Sequence, residues 1–164
     1  ALDEVDAHYD VVIIDCPPQL GFTTMSALLA STGLLITVVP SMLDVASMAQ
    51  FLEMAGETVQ TLEEATGPID WNFMKFLVAR YEPTDVPQSQ MAGFLRSILL
   101  DQVLTRPMLK STAISDAGMT QHTIYELDPS TVVKKTLERI MESVNGVADE
   151  FETVLQEAWG REVR

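Results

Sequence analysis

The chain has 164 residues, with 24 acidic against 10 basic side chains and a formal net charge of −14. That length suits one domain with a real core. The acid excess argues against the whole surface binding nucleic acid but allows a local basic patch, since charges decouple beyond about 10 Å. No apolar run approaches the roughly 18 residues that a bilayer span needs. The acidic start Ala1-Leu2-Asp3-Glu4 is unlike a secretory signal. One cysteine, Cys16, excludes an internal disulfide and suits a reducing cytoplasm.

Tyr9–Asp15 predicts the first strand. Val11-Val12-Ile13-Ile14 is a continuous β-branched run without polar alternation, the pattern of a strand buried on both faces of a parallel sheet. Pro17-Pro18 then predicts a stiff loop, with Gly21 as a permissive backbone position. Thr23–Ser31 predicts a short helix, capped by Thr23 or Thr24. Gly33 breaks it before Leu34–Pro40, LLITVVP, a second buried strand. Ser41 or Asp44 starts a long helix to about Ala65, whose Val45, Met48, Phe51, Leu52, Ala55, Val59 and Leu62 recur at helical spacing. Gly67-Pro68 ends it.

Asn72–Tyr81 predicts a third strand, Glu82–Pro87 a loop and Gln88–Leu99 a helix. Val103–Met108 predicts a short edge strand, because Pro107 cannot donate to a ladder. Ser111–Met119 reads as a loop with a turn of helix. Asp128-Pro129-Ser130 starts a last long helix that Asn145-Gly146 could interrupt. Strands alternating with helices of this length predict an α/β fold: three layers, a mostly parallel sheet flanked by helices. Four strands are few for such a sheet and would leave an open edge. With no initiator Met and a strand expected as early as Tyr9, the chain reads as an excised piece of a longer protein, or as one with a trimmed terminus.

Asp15 is the first candidate for chemistry. A carboxylate at the carboxyl end of a buried strand lies where open α/β sheets bind ligands. It could hold magnesium through water, or cap the following helix. Cys16 lacks the arginine six residues on that a phosphatase cysteine loop uses, since Phe22 stands there. It reads as a small buried residue or, less simply, a nucleophile. The two histidines and one cysteine are scattered and do not make a zinc site. Arg80, Arg96, Arg106, Lys110 just past the edge strand, and Lys134-Lys135 at the start of the last helix could touch DNA phosphates if they converge. Solvated surface is the alternative. No G-x-x-x-x-G-K-[ST] loop occurs in the sequence, so these residues contain no phosphate cradle of that kind.

The stretch YDVVIIDCPPQLG, residues 9–21, resembles the Walker B and switch II region of ParA/MinD-type P-loop ATPases. LLITVVP (34–40), LVARYEPTD (77–85), VLTRPMLKSTAISDAG (103–118) and YELDPST (125–131) are similar to later segments of that family, in the same order. The wording is nearest RepA-type partition proteins of large, low-copy bacterial plasmids. The resemblance implies a partial P-loop NTPase fold, with residues 1–164 as the C-terminal part of a ParA-type ATPase domain.

It also implies a homodimer around ATP and magnesium, non-specific and operator DNA binding, operon autoregulation and a ParB/RepB-like centromere-binding partner. The setting implied is cytoplasmic and nucleoid-associated, without a membrane. By the resemblance Asp15 is the catalytic and magnesium-side acid. Cys16, Pro17, Pro18 and Gly21 form the switch that reports the γ-phosphate. Arg80 approaches the nucleotide and Lys110 contacts DNA. The family's P-loop would precede Ala1, so these residues alone are expected to be inactive. The rival expectation is a P-loop-less interaction or dimerisation module without catalysis.

Overall fold

A computed structural model describes residues 8–17, 19–130 and 132–160. Its elements run α1 (Phe22–Ala30), β1 (Leu34–Val38), α2 (Met42–Thr66), β2 (Met74–Val78), α3 (Val86–Leu99), α4 (Thr112–Met119) and α5 (Lys134–Ala158). Single 3₁₀ turns lie at Leu100–Gln102 and Ile124–Glu126. β1 and β2 are parallel neighbours, in register from Leu34 opposite Met74 to Val38 opposite Val78.

The alternation of β2 sorts the core into two faces. Phe76 and Val78 pack with Ala92 of α3, Val103, and the half-buried Ile36, Met48 and Leu52. Leu77 points the other way, into a cluster with Leu104 and with Val147 and Val154 of α5. Helices therefore cover both faces, and the expected three-layer α/β fold with a parallel sheet is what forms. Along α5 the buried residues are Ile140, Val147 and Val154. The seven-residue step repeats one side of the helix every two turns.

The segment after α3 adds a partial third strand. Phe76 bridges to Val103 and Tyr81 to Leu109, both parallel. Five steps of chain on the β2 side meet six on the other, so one extra residue bulges between the bridges. Pro107, which has no N–H, lies inside that bulge. The expected edge strand Val103–Met108 is thus reduced to its two ends, held by Leu104 N–H to the Phe76 carbonyl (2.8 Å) and Met108 N–H to the Val78 carbonyl (2.9 Å).

Several boundaries differ from expectation. Tyr9–Asp15 forms no strand, and Val11 to Ile14 are exposed, Ile13 at 81%. A ladder needs a neighbour's N–H and C=O groups, and among the described residues no strand pairs with this run. Gly21, not a threonine, precedes α1, and the buried Thr24 hydroxyl donates instead to the Gln19 carbonyl (2.6 Å). α4 is a full helix rather than a turn. Ser111 caps it, and Ala113 and Ala117, one turn apart, are small enough to be fully buried. Asp128 closes a local turn by accepting from Ser130 N–H (2.8 Å), so α5 begins only at Lys134. Gly146 does not interrupt α5.

Candidate functional site

The carboxyl ends of β1 and β2 lie side by side, and open α/β sheets bind ligands at such an edge. Beyond β1, Pro40 is fully buried and Ser41 caps α2, its Oγ accepting from Asp44 N–H (3.2 Å) while its hydroxyl donates to the Asp44 carboxylate. Beyond β2, Ala79 N–H donates to the Val38 carbonyl (2.9 Å), and the chain turns at Arg80, whose φ is +52°. A side chain rarely adopts that left-handed backbone. Tyr81 N–H then donates to the Met108 carbonyl (3.0 Å), and Lys110 N–H to the Tyr81 carbonyl (2.9 Å). Glu82 next receives the Lys110 ammonium at 3.0 Å. The loop closes on α3, where Gln88 accepts from Glu82 N–H (3.0 Å) and Asp85 caps the helix by accepting from Gln88 N–H (3.1 Å).

Arg80 and Lys110 are therefore neighbours at one sheet edge, joined through Tyr81 and Glu82. Asp15, Cys16, Pro17 and Gly21 lie on an exposed stretch leading into α1; Pro18 is outside the described residues. Their hydrogen bonds are local. Gln19 N–H donates to the Pro17 carbonyl (2.8 Å) and Gly21 N–H to the Gln19 carbonyl (2.9 Å). Cys16 is exposed, its Sγ 3.8 Å from the Ile14 carbonyl oxygen, and so is not the small buried residue that composition allowed. Gly21 has φ −105° and ψ 178°, an extended backbone open to any residue, and a Cβ there would meet nothing within 4 Å. Among the described residues no hydrogen bond or ion pair joins this stretch to Arg80 or Lys110.

Asp15 has no side-chain hydrogen bond or ion pair among the described residues. One exposed carboxylate suits magnesium, which keeps most of its waters and shares one or two carboxylates with substrate phosphates. Among the described residues no three His, Cys, Asp or Glu side chains gather into a closed metal cage. The sequence contains no glycine-lysine loop to cradle a triphosphate.

A family model described as an AAA domain matches residues 1–66. A Rhizobium rhizogenes protein provisionally named replication protein A is 49% identical over 160 residues, covering 98% of this chain and 40% of the relative. A Sinorhizobium fredii protein of the same name is 48% identical over 163 residues, covering 99% of this chain and 40% of the relative. The virulence plasmid ParA family protein pGP5-D of Chlamydia psittaci is 18% identical over 157 residues, covering 96% of this chain and 57% of that protein. The chain is thus similar to replication and ParA-family proteins over nearly all of its length.

The chain spans about 40% of the length of the two rhizobial relatives. Of the basic residues read from sequence, Lys134 is paired with Glu138 at 3.7 Å, one helical turn on. Arg139 was not among the residues the sequence pointed to. Yet it shares an open cleft of about 220 Å³ with Arg106, beside Lys110. The signal available was its seven-residue distance from Gly146, which puts both on one side of a helix.

Proposed function

We propose that this chain forms the Walker B and switch II half of a plasmid-partitioning ATPase. In the intact protein it would act as a homodimer that binds ATP and magnesium, binds DNA non-specifically and at its own operator, and works with a ParB/RepB-like centromere-binding partner. The observation that carries this reading is identity of 48–49% over nearly the whole chain to two rhizobial replication proteins. The setting would be the cytoplasm at the nucleoid; no helix among the described residues is long and apolar enough to cross a membrane.

Bound ATP and magnesium would supply the phosphoryl group and neutralise its charge, chemistry that rests mostly on positioning and electrostatics. Asp15 would hold a magnesium-bound water. The 16–21 loop, Cys16, Pro17, Pro18 and Gly21, would orient around the γ-phosphate, and Arg80 would face the nucleotide from the neighbouring strand end. Lys110 would contact DNA. The triphosphate cradle would come from residues outside this sequence. Asp15→Ala in the intact protein should abolish ATP turnover; unchanged turnover would overturn the assignment.

One observation favours a second reading, a non-catalytic interaction module: the apolar Val11–Ile14 run is exposed and unpaired among the described residues. The gene upstream of the Ala1 codon separates the two. An in-frame Gly-Lys-Thr or Gly-Lys-Ser loop supports the ATPase, and a start codon there supports the module.

A further inference from the structure

We propose that Ser143 and Glu150 of α5 are positioning residues that hold Arg80 in place for the nucleotide. The inference rests on the reading above that Arg80 faces the nucleotide, and adds what fixes it there.

The backbone donors of the bulged segment 104–110 divide between β2 and α5. A bulge interrupts the ladder, and each N–H that loses its place there needs another acceptor. Leu104 and Met108 N–H still reach the Phe76 and Val78 carbonyls, at 2.8 and 2.9 Å, and Lys110 N–H reaches the Tyr81 carbonyl at 2.9 Å. Pro107 has no N–H. The rest go to α5. Glu150 accepts from Thr105 N–H (2.6 Å), Arg106 N–H (2.8 Å) and the Thr105 hydroxyl (3.0 Å). Ser143 accepts from Leu109 N–H and donates to the Pro107 carbonyl, both at 2.9 Å. The two side chains stand about 10.5 Å apart along one side of the helix. Between them Val147 is buried in one cluster with Leu77 and Leu104. The helix thus holds both ends of the bulge and packs the core between.

This hold reaches Arg80 because the bulged segment is one of its two flanks. Before it, Ala79 N–H donates to the Val38 carbonyl (2.9 Å); after it, Tyr81 N–H donates to the Met108 carbonyl (3.0 Å). Arg80 lies between with φ +52°. A side chain in that region is strained, and the conformation persists only where its surroundings over-determine it. β1 fixes one side, and the segment held by α5 fixes the other. Releasing residues 105–109 frees the Tyr81 side, and Arg80 then relaxes out of its turn and carries its guanidinium off the sheet edge. Glutamine cannot replace Glu150. It offers one acceptor oxygen to donors that occupy both carboxylate oxygens, and turns its own NH₂ toward the remaining N–H.

The test is equilibrium binding of magnesium-ATP to the intact protein by titration calorimetry, at a temperature where circular dichroism shows every variant folded. Arg80→Gly should raise the Kd. Ser143→Ala and Glu150→Gln should raise it by about fivefold, and by no more than Arg80→Gly does, as the fraction of molecules with Arg80 in place falls. Combined with Arg80→Gly, neither α5 variant should weaken binding further, because it acts through a side chain already removed. A merely structural role lowers the urea midpoint and leaves the Kd of the folded molecules alone. Parent-like Kd in both α5 variants, with a raised Kd in Arg80→Gly, therefore overturns the positioning role and leaves the Arg80 reading standing. Losses that add in full to that of Arg80→Gly also overturn it, by placing the effect elsewhere. Parent-like Kd in Arg80→Gly overturns the Arg80 assignment together with this inference, and absence of ATP binding by the unmodified protein overturns the nucleotide reading as well. If Glu150→Gln does not fold, Ser143→Ala, which puts a strong helix former into α5, decides among the same outcomes.

Discussion

The Lys110 ammonium lies 3.0 Å from Glu82 Oε2, and this pair joins the loop after β2 to the chain entering α4. Both side chains are about half exposed, so the pair contributes at most about 1 kcal/mol to stability. If Lys110 makes the proposed DNA contact, a phosphate has to compete with Glu82 for its ammonium. Glu82→Gln should tighten DNA binding by the intact protein, and Lys110→Gln should lower the salt slope by about 1. Each should shift the urea midpoint only slightly. Unchanged affinity in Glu82→Gln would show that the carboxylate does not restrain the lysine.

Two glycines should differ in their tolerance of alanine. A Cβ on Gly33 would overlap the ring of Phe73, which itself stacks edge-on against Phe151 of α5 (centroids 5.9 Å, planes 80° apart). Gly33→Ala should cost about 1–3 kcal/mol through overpacking. Gly21→Ala meets no atom within 4 Å and needs no unusual φ. Denaturant unfolding should find it within about 0.5 kcal/mol of the parent. An ATPase defect in Gly21→Ala of the intact protein without loss of stability would therefore support the proposed switch role of the loop, not a fold effect.

Leu100 ends α3 with φ +51° and ψ −122° while 69% exposed. That backbone suits glycine, and a side chain there stores of order 1 kcal/mol. Leu100→Gly should raise the thermal midpoint. Arg80, φ +52°, carries the same conformational load beside the proposed nucleotide edge. Arg80→Gly should be more stable than Arg80→Ala by about 1 kcal/mol, while both lose whatever the guanidinium does. Equal stability of the two Arg80 variants would argue against a left-handed residue there.

Glu126 should titrate below the usual carboxylate range. The Thr123 N–H donates to it at 2.8 Å, its hydroxyl also at 2.8 Å, and the nearby His122 adds a favourable charge. A depressed folded-state pKa gives stability that is present above the unfolded value and lost as pH falls through the folded one. Acid should therefore release the Ile124–Glu126 turn. Carbon-detected NMR of the Glu126 carboxyl reads the shift, and Thr123→Val should move it part-way back, because the backbone N–H remains. Titration at the ordinary glutamate value would contradict the cap.

Much of the fold was readable locally. Ser41 before a periodic apolar stripe and Gly67 after it bound α2 almost to the residue. LLITV and MKFLV are short apolar runs that declare strands, although only Val38 of the first is buried, against Phe76, Leu77 and Val78 of the second. Asn145-Gly146 misled, because a glycine inside a helix is tolerated when something packs over it, here the Arg106 stem. Asp128-Pro129-Ser130 misled differently, since an Asp turn satisfies its own backbone without starting a helix.

By itself, the sequence determined the alternation of strands and helices, most caps, and the motifs at 9–21, 77–85 and 103–118 that carry the family resemblance, because these depend on residues close in the chain. The tertiary structure alone decided which segments pair. It left Val11–Ile14 without a ladder among the described residues, although its composition is that of a strand, because a ladder depends on a partner's backbone and not on the strand's own residues. It also decided which charges meet. Glu82 and Lys110, or Arg106 and Arg139, come together only when the bulged segment beside β2 docks on α5, and no local pattern encodes that distance.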